Sequence, residues 1–295
     1  PHHSVSGLPV VESVSFGREV YRHENKTNVN NLIDIGCIYH MHTSENKRVT
    51  IDIDSLCSHT FITGSTGKGK SNSVYKIIEK VCKERKNSGF SFMVVEPAKG
   101  EYKDAFWNHP SISVRVLGTN PKESELLRIN PFVFPDGIHV LEHIDRLAEI
   151  FNACWPMYAA MPAILKNAII KAYESCGWDM TNSECKTLIY PKFSDVLEQI
   201  KSILNFSDFS KDNKGDYTGA LCTRVESLTI GLNGMLFSSC DYITDDELFN
   251  HNVIVDLSRV GSPETKSLIM SLLVMKLQEF RMCEKKGSNL PLRHL

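Results

Sequence analysis

The chain has 295 residues, 42% hydrophobic and 23% charged, with a formal net charge of −2. That length suits one large or two ordinary domains, and no run of about eighteen apolar residues offers a membrane span. A nucleic-acid partner would have to meet a local basic surface, because the protein as a whole is not basic.

Pro1-His-His-Ser-Val has neither a basic n-region nor an apolar h-region, so nothing marks a secretory leader, and without an initial Met the chain reads as part of a longer polypeptide. Nine cysteines without a Cys-x-x-Cys pair read as reduced thiols of a cytoplasmic protein. Residues 1–30 are polar and read as a connector. Leu32–Tyr39 and Val49–Ile53 alternate apolar and polar residues around the polar stretch His42–Arg48, which predicts a β-hairpin. His59–Gly64 is the expected strand leading into Gly64-Ser-Thr-Gly-Lys-Gly-Lys-Ser71.

That octet fits G-x-x-x-x-G-K-[ST], and a helical pattern follows from Asn72. Glycines allow a turn tight enough for successive amides to face a phosphate chain at a helix N-terminus. Gly64, Ser65, Thr66, Gly67, Lys68, Gly69, Lys70, Ser71 and Asn72 are therefore the candidate nucleotide-binding residues. Lys70 would reach the β/γ-phosphates and Ser71 would ligate Mg²⁺. Lys68 adds charge near the phosphates or faces water. The plainer alternative is a glycine-rich turn, which four fixed positions in one context disfavour.

Val74, Ile77, Ile78 and Val81 mark a helix face, with Lys86–Gly89 as its end. Phe90–Glu96 is a nearly continuous apolar run, as expected of a parallel strand covered on both faces. Ser113–Leu117 is a further strand. From Ile138 to Leu204 the pattern is helical, punctuated by Pro156, Pro162 and Gly177-Trp178. Phe206–Thr218 reads as a polar loop, Leu221–Leu228 as a helix and Asn252–Leu257 as a strand. Pro263 opens a long helix ending near Gly287, and Leu290–Leu295 begins another apolar segment. The fold class expected is α/β: a RecA-like core with a phosphate loop and a mostly parallel sheet, a β-hairpin lead-in and an inserted helical subdomain. The boundaries expected are 1–58 for connector and hairpin, 59–137 and 206–295 for the two parts of the core, and 138–205 for the insertion.

Nucleotide hydrolysis needs an acid at a strand end, and both Glu96 and Asp256 qualify by pattern. Arg224 is a candidate for a finger acting across a subunit boundary, against a solvated or ion-paired helix residue. Asn213-Lys-Gly-Asp216 matches a guanine-reading motif but lies in a polar stretch and lacks a D-x-x-G companion. His139-Val-Leu-Glu-His143 matches a zinc-protease pattern, against surface histidines beside an ordinary core stripe.

His59–Asn72, followed by Glu96-Pro-Ala-Lys-Gly-Glu101-Tyr102, resembles the HerA branch of the HerA–FtsK ATPases. Ile129-Asn-Pro-Phe, Leu141–Asp145, Tyr173–Trp178 and Val255–Ser258 extend the likeness over nearly the whole chain. Glu96 stands where that family usually has Asp. The resemblance implies that the magnesium-binding acidic motif follows Leu295, which demotes Asp256 to a structural position and leaves Glu96 and Glu101 as supporting or water-orienting acids. It also implies ATP and Mg²⁺ as cofactors, a homo-hexameric ring threading double-stranded DNA, and a nuclease or NAD-consuming effector as partner, in some relatives in defence against phage. The function expected is an ATP-driven DNA translocase or helicase without a membrane partner. Two alternatives stand beside it: an ATP-binding ring scaffold that regulates an effector, and a small-molecule kinase.

Overall fold

The computed structural model describes residues 32–40, 43–57, 59–85, 90–206, 211–237 and 241–284. The chain forms two compact units, residues 1–88 and 89–295. The connector at 1–30, the helix end at 86–89 and the segment Leu290–Leu295 fall outside the described residues.

In the first unit, β1 (Leu32–His40) and β2 (Thr43–Asp52) pair antiparallel, with Leu32 opposite Asp52 and His40 opposite Thr43. The stretch His42–Arg48, expected to be the turn, is therefore mostly strand. The register slips between Asp34 and Gly36, where the Asp34 carboxylate accepts from the Gly36 amide at 3.0 Å and also pairs with Arg48. A 3₁₀ turn, Ile53–Cys57, ends the hairpin. Helix α1 (Lys70–Glu84) buries Ile77, Ile78 and Val81, the face its spacing dictates, and lies against β1. His59–Gly64, expected as a strand, carries no ladder among the described residues, and Phe61 is 89% exposed. A short apolar run does not by itself make a strand; its backbone groups need a neighbour to pair with.

The second unit is built on β3 (Met93–Glu96), β4 (Arg115–Gly118), β5 (Glu125–Leu126) and β6 (Val253–Asp256), all parallel in the order β3-β6-β4-β5. β6 is buried at all four positions, as an apolar strand covered on both faces must be. The helices are α2 (Glu101–Phe106), α3 (Val140–Cys154), α4 (Met161–Ser175), α5 (Phe193–Phe206), α6 (Lys211–Tyr217), α7 (Thr223–Ser227), α8 (Gly231–Phe237), α9 (Asp245–Phe249) and α10 (Pro263–Met282). Pro263 stands in the first turn of α10 and Ser262 caps it, its hydroxyl accepting from the Thr265 amide. The polar stretch expected to be a loop is largely α6.

One apolar core joins sheet and helices, running from Leu117, Val253 and Val255 to Phe132, Phe151 and Phe193. Phe151 stacks on Trp155 with ring centres 4.9 Å apart, and Phe132 meets Phe193 edge-on at 5.1 Å. Among the described residues no helix is long and apolar enough to cross a membrane.

Candidate functional site

The glycine loop owes its shape to backbone conformation. Gly67 and Gly69 have φ of +76° and +84°, and a Cβ added at either would meet nothing within 4 Å. Glycine is thus demanded there by dihedral angle, not by crowding. Lys68 N donates to the Ser65 carbonyl at 3.3 Å, and Lys70 Nζ reaches the same oxygen at 2.9 Å, drawing the ammonium across the loop.

Gly69 is the N-cap of α1, so no side chain caps the helix, and its first turn holds no acid. Among the described residues the opening amides therefore keep unfilled hydrogen bonds at the positive end of the helix. Ser73 turns inward instead, bonding the Gly69 carbonyl through N at 2.9 Å and through Oγ at 3.1 Å. Ser65, Thr66, Lys68 and Asn72 are exposed and Ser71 half-buried. Free amides, a positive helix end and an ammonium together fit a polyanion such as a triphosphate.

In the second unit two acids meet at the carboxyl edge of the sheet, where Glu96 of β3 stands in register with Asp256 of β6. Glu96 is 6% exposed, and its two oxygens accept from the amides of Glu101 at 2.8 Å and Tyr102 at 2.9 Å. It caps α2 across the turn made by Gly100, whose φ is +72°. Space is also short there: a Cβ on Gly100 would lie 3.3 Å from Ser258 Oγ and 3.4 Å from Asp256 Oδ2.

Asp256 accepts from Lys103 Nζ at 2.8 Å and from the Ser258 amide at 2.9 Å. Burial pushes its carboxyl up, but Lys103 and Ser258 outweigh this and hold it below the usual carboxylate range. Lys103 also lies 3.6 Å from Glu123, which Arg259 binds at 2.6 Å. Glu101, by contrast, is exposed and pairs with Lys99 at 3.1 Å. Gly100, Lys103 and Ser258 were not among the residues singled out from sequence; the glycine just before Glu101 was the available signal.

Arg224 lies on α7, directly after a π-helical turn, Thr218–Cys222. It is half-buried, and its Nη1 is buried without a hydrogen-bond partner among the described residues. A guanidinium left short of an acceptor is unusual enough to need a reason.

The zinc pattern does not form a metal site. His139 caps α3, its Nδ1 accepting from the Leu141 amide, and His143 is fully buried against Glu279 rather than lying on the surface. Asn213–Asp216 lies on α6 instead of a strand end, which removes the guanine-reading context. Among the described residues no three His, Cys, Asp or Glu side chains cluster as metal ligands.

A glycine loop fitted to an anion in the first unit and, in the second, a parallel sheet with acids at its carboxyl edge are each features of the α/β ATPase class. The chain belongs to the HerA central-domain family: the family model described as "Helicase HerA, central domain" matches residues 33–277. Among solved structures it is similar to VirB4 of Thermoanaerobacter pseudethanolicus, with a TM-score of 0.51 and 14% identity over 80% of this chain. That alignment spans 60% of the VirB4 chain, and at such identity the likeness is one of fold. No curated protein matches the chain.

Proposed function

We propose that this chain is the motor core of a HerA-type, ATP-driven translocase of double-stranded DNA, working in the cytoplasm as a homo-hexameric ring with a nuclease or NAD-consuming effector. The observation that carries the reading is the uncapped start of α1 behind the Gly64–Ser71 loop, in a chain of the HerA family. Residues 59–137 and 206–295 would form the ATPase core, and 138–205 a helical insertion.

The amides of Gly64–Asn72 hold the phosphates, and Lys70 exchanges the Ser65 carbonyl for the β/γ oxygens. Ser71 would hold Mg²⁺ through its hydroxyl. Bound ATP and Mg²⁺ supply the phosphoryl group and the charge that screens it. Glu96 acts as a positioning residue: by capping α2 it fixes the backbone that presents Glu101, the acid assigned to orient water. Arg224 would lend its unpaired nitrogen to the site of a neighbouring subunit.

The test is ATP hydrolysis by assembled protein with and without duplex DNA. A motor is stimulated by duplex; hydrolysis indifferent to duplex in a DNA-bound ring would overturn the translocase reading and favour a scaffold.

A further inference from the structure

Apart from the loop and the acid cluster, the turn after α4 gathers two thiols. Cys176 ends α4, Gly177 turns the chain at φ +93°, and an isolated antiparallel bridge between Asp179 and Glu184 folds it back. Asp179 fastens the tip, accepting from the amides of Thr181 at 2.8 Å and Asn182 at 3.3 Å, and from Asn182 Nδ2 at 2.7 Å. The return brings Cys185 Sγ to 3.6 Å from the Cys176 carbonyl oxygen and 3.4 Å from Thr187 Oγ1. Cys185 also lines a cavity of about 340 Å³ walled by Phe134, Trp178, Lys186 and Leu188, which gives small solutes a route to the sulfur.

We propose that Cys185 and Cys176 are a peroxide-sensitive thiol pair that closes a disulfide across this turn. Cys185 loses its proton to solvent, and its thiolate attacks one oxygen of hydrogen peroxide; the S–O bond forms, the O–O bond breaks and hydroxide leaves. Cys176, likewise deprotonated, attacks the sulfenic sulfur; the S–S bond forms, the S–O bond breaks and a second hydroxide leaves. The two released protons convert both hydroxides to water, so two thiols are oxidised and one peroxide is reduced.

The surroundings divide the roles. Burial pushes the Cys185 thiol up, but the Thr187 hydroxyl and the amides of Thr187, Ile189 and Leu188 outweigh it and hold the thiol below its ordinary value. Burial raises Cys176, and Asp195 adds to the rise, which suits the slower, resolving position. Cys154 and Cys222 are also raised by burial and serve as internal controls.

The full chain is treated with hydrogen peroxide, alkylated and peptide-mapped. The expected result is a Cys176–Cys185 cross-linked peptide, with Cys185 blocked faster than Cys154 or Cys222, because its thiol is held below its ordinary value while burial raises theirs. Cys176→Ser should leave a dimedone-reactive sulfenic acid on Cys185. Cys185→Ser should leave Cys176 reduced. Circular dichroism verifies that both variants fold, and the wild-type rate comparison needs neither. Equal oxidation rates for Cys185 and Cys154, or a dimedone-negative Cys176→Ser protein that is folded, would overturn the proposal.

Discussion

Glu279 of α10 and His143 of α3 face each other with both side chains at zero exposure, the carboxylate 2.9 Å from His143 Nδ1. Arg146, one turn along α3, binds the other oxygen of Glu279 at 2.9 Å. This buried cluster fastens the two helices, and removing the carboxylate leaves the buried His143 Nδ1 without its partner while Arg146 keeps Glu142. Glu279→Ala should cost about 1–3 kcal/mol, the range for leaving a buried polar group unsatisfied. Thermal unfolding measures it; a melting temperature unchanged from the parent would refute the role of the cluster.

At the nucleotide loop, Lys70→Ala should abolish ATP hydrolysis while leaving the circular dichroism spectrum intact, since the ammonium's hydrogen bond among the described residues goes to the exposed loop, at the Ser65 carbonyl. Gly69→Ala should cost about 1–2 kcal/mol, because φ of +84° penalises a Cβ that clashes with nothing else. Calorimetric titration of adenine nucleotide with Mg²⁺ into both variants separates a lost charge from a bent loop.

The two glutamates before and after Gly100 should fail differently. Glu96→Gln loses one acceptor of the α2 cap and should lower stability by about 1 kcal/mol together with hydrolysis. Glu101→Gln should leave stability unchanged and lower the turnover number alone. Melting curves read beside steady-state rates decide it, and a destabilised Glu101→Gln protein would count against the assignment.

Arg224→Ala removes a group whose Nη1 has no acceptor among the described residues, so the isolated subunit should melt at the parent temperature. Assembled protein should nonetheless lose on the order of 10³-fold or more in hydrolysis if the arginine works on a neighbour's nucleotide. Mixing variant and parent subunits provides the check: activity that falls in simple proportion to the variant added would argue against action in trans.

Glu247 closes the capping box of α9, accepting from the Thr244 amide and hydroxyl and pairing with Arg115. Those bonds, the Thr244 amide first, hold its carboxyl at about 2 against an ordinary 4.5. The folded state therefore binds this proton more weakly than the unfolded one. Its contribution to stability is complete above pH 4.5 and is lost as pH falls toward 2. Glu247→Gln should flatten stability across that window, and an NMR titration placing the wild-type carboxyl near 4.5 would contradict the geometry.

Periodicity made the hairpin, β3, β6 and α10 readable, because each spends its apolar residues on one consistent face or run. It could not show α6, where Lys211–Tyr217 carries too little apolar surface to form a stripe, nor β5, two residues defined only by their neighbour β4. The loop was legible because its glycines and lysine sit at fixed offsets. The work of Glu96 was not, since a carboxylate that turns back to cap the helix after it looks like any acid at a strand end. Lys276 and Glu279 also escaped notice: charged residues on a long helix suggest a wet face, yet both are almost wholly enclosed.

The placement of β6 sets an order of events during synthesis. β3 and β4 are made early, yet neither is the other's neighbour; each waits for a strand that leaves the ribosome more than a hundred residues later and slides between them. Until then their edges stay open, vulnerable to pairing with the wrong chain. A nascent polypeptide stalled short of Val253 should therefore be bound by chaperones rather than half folded.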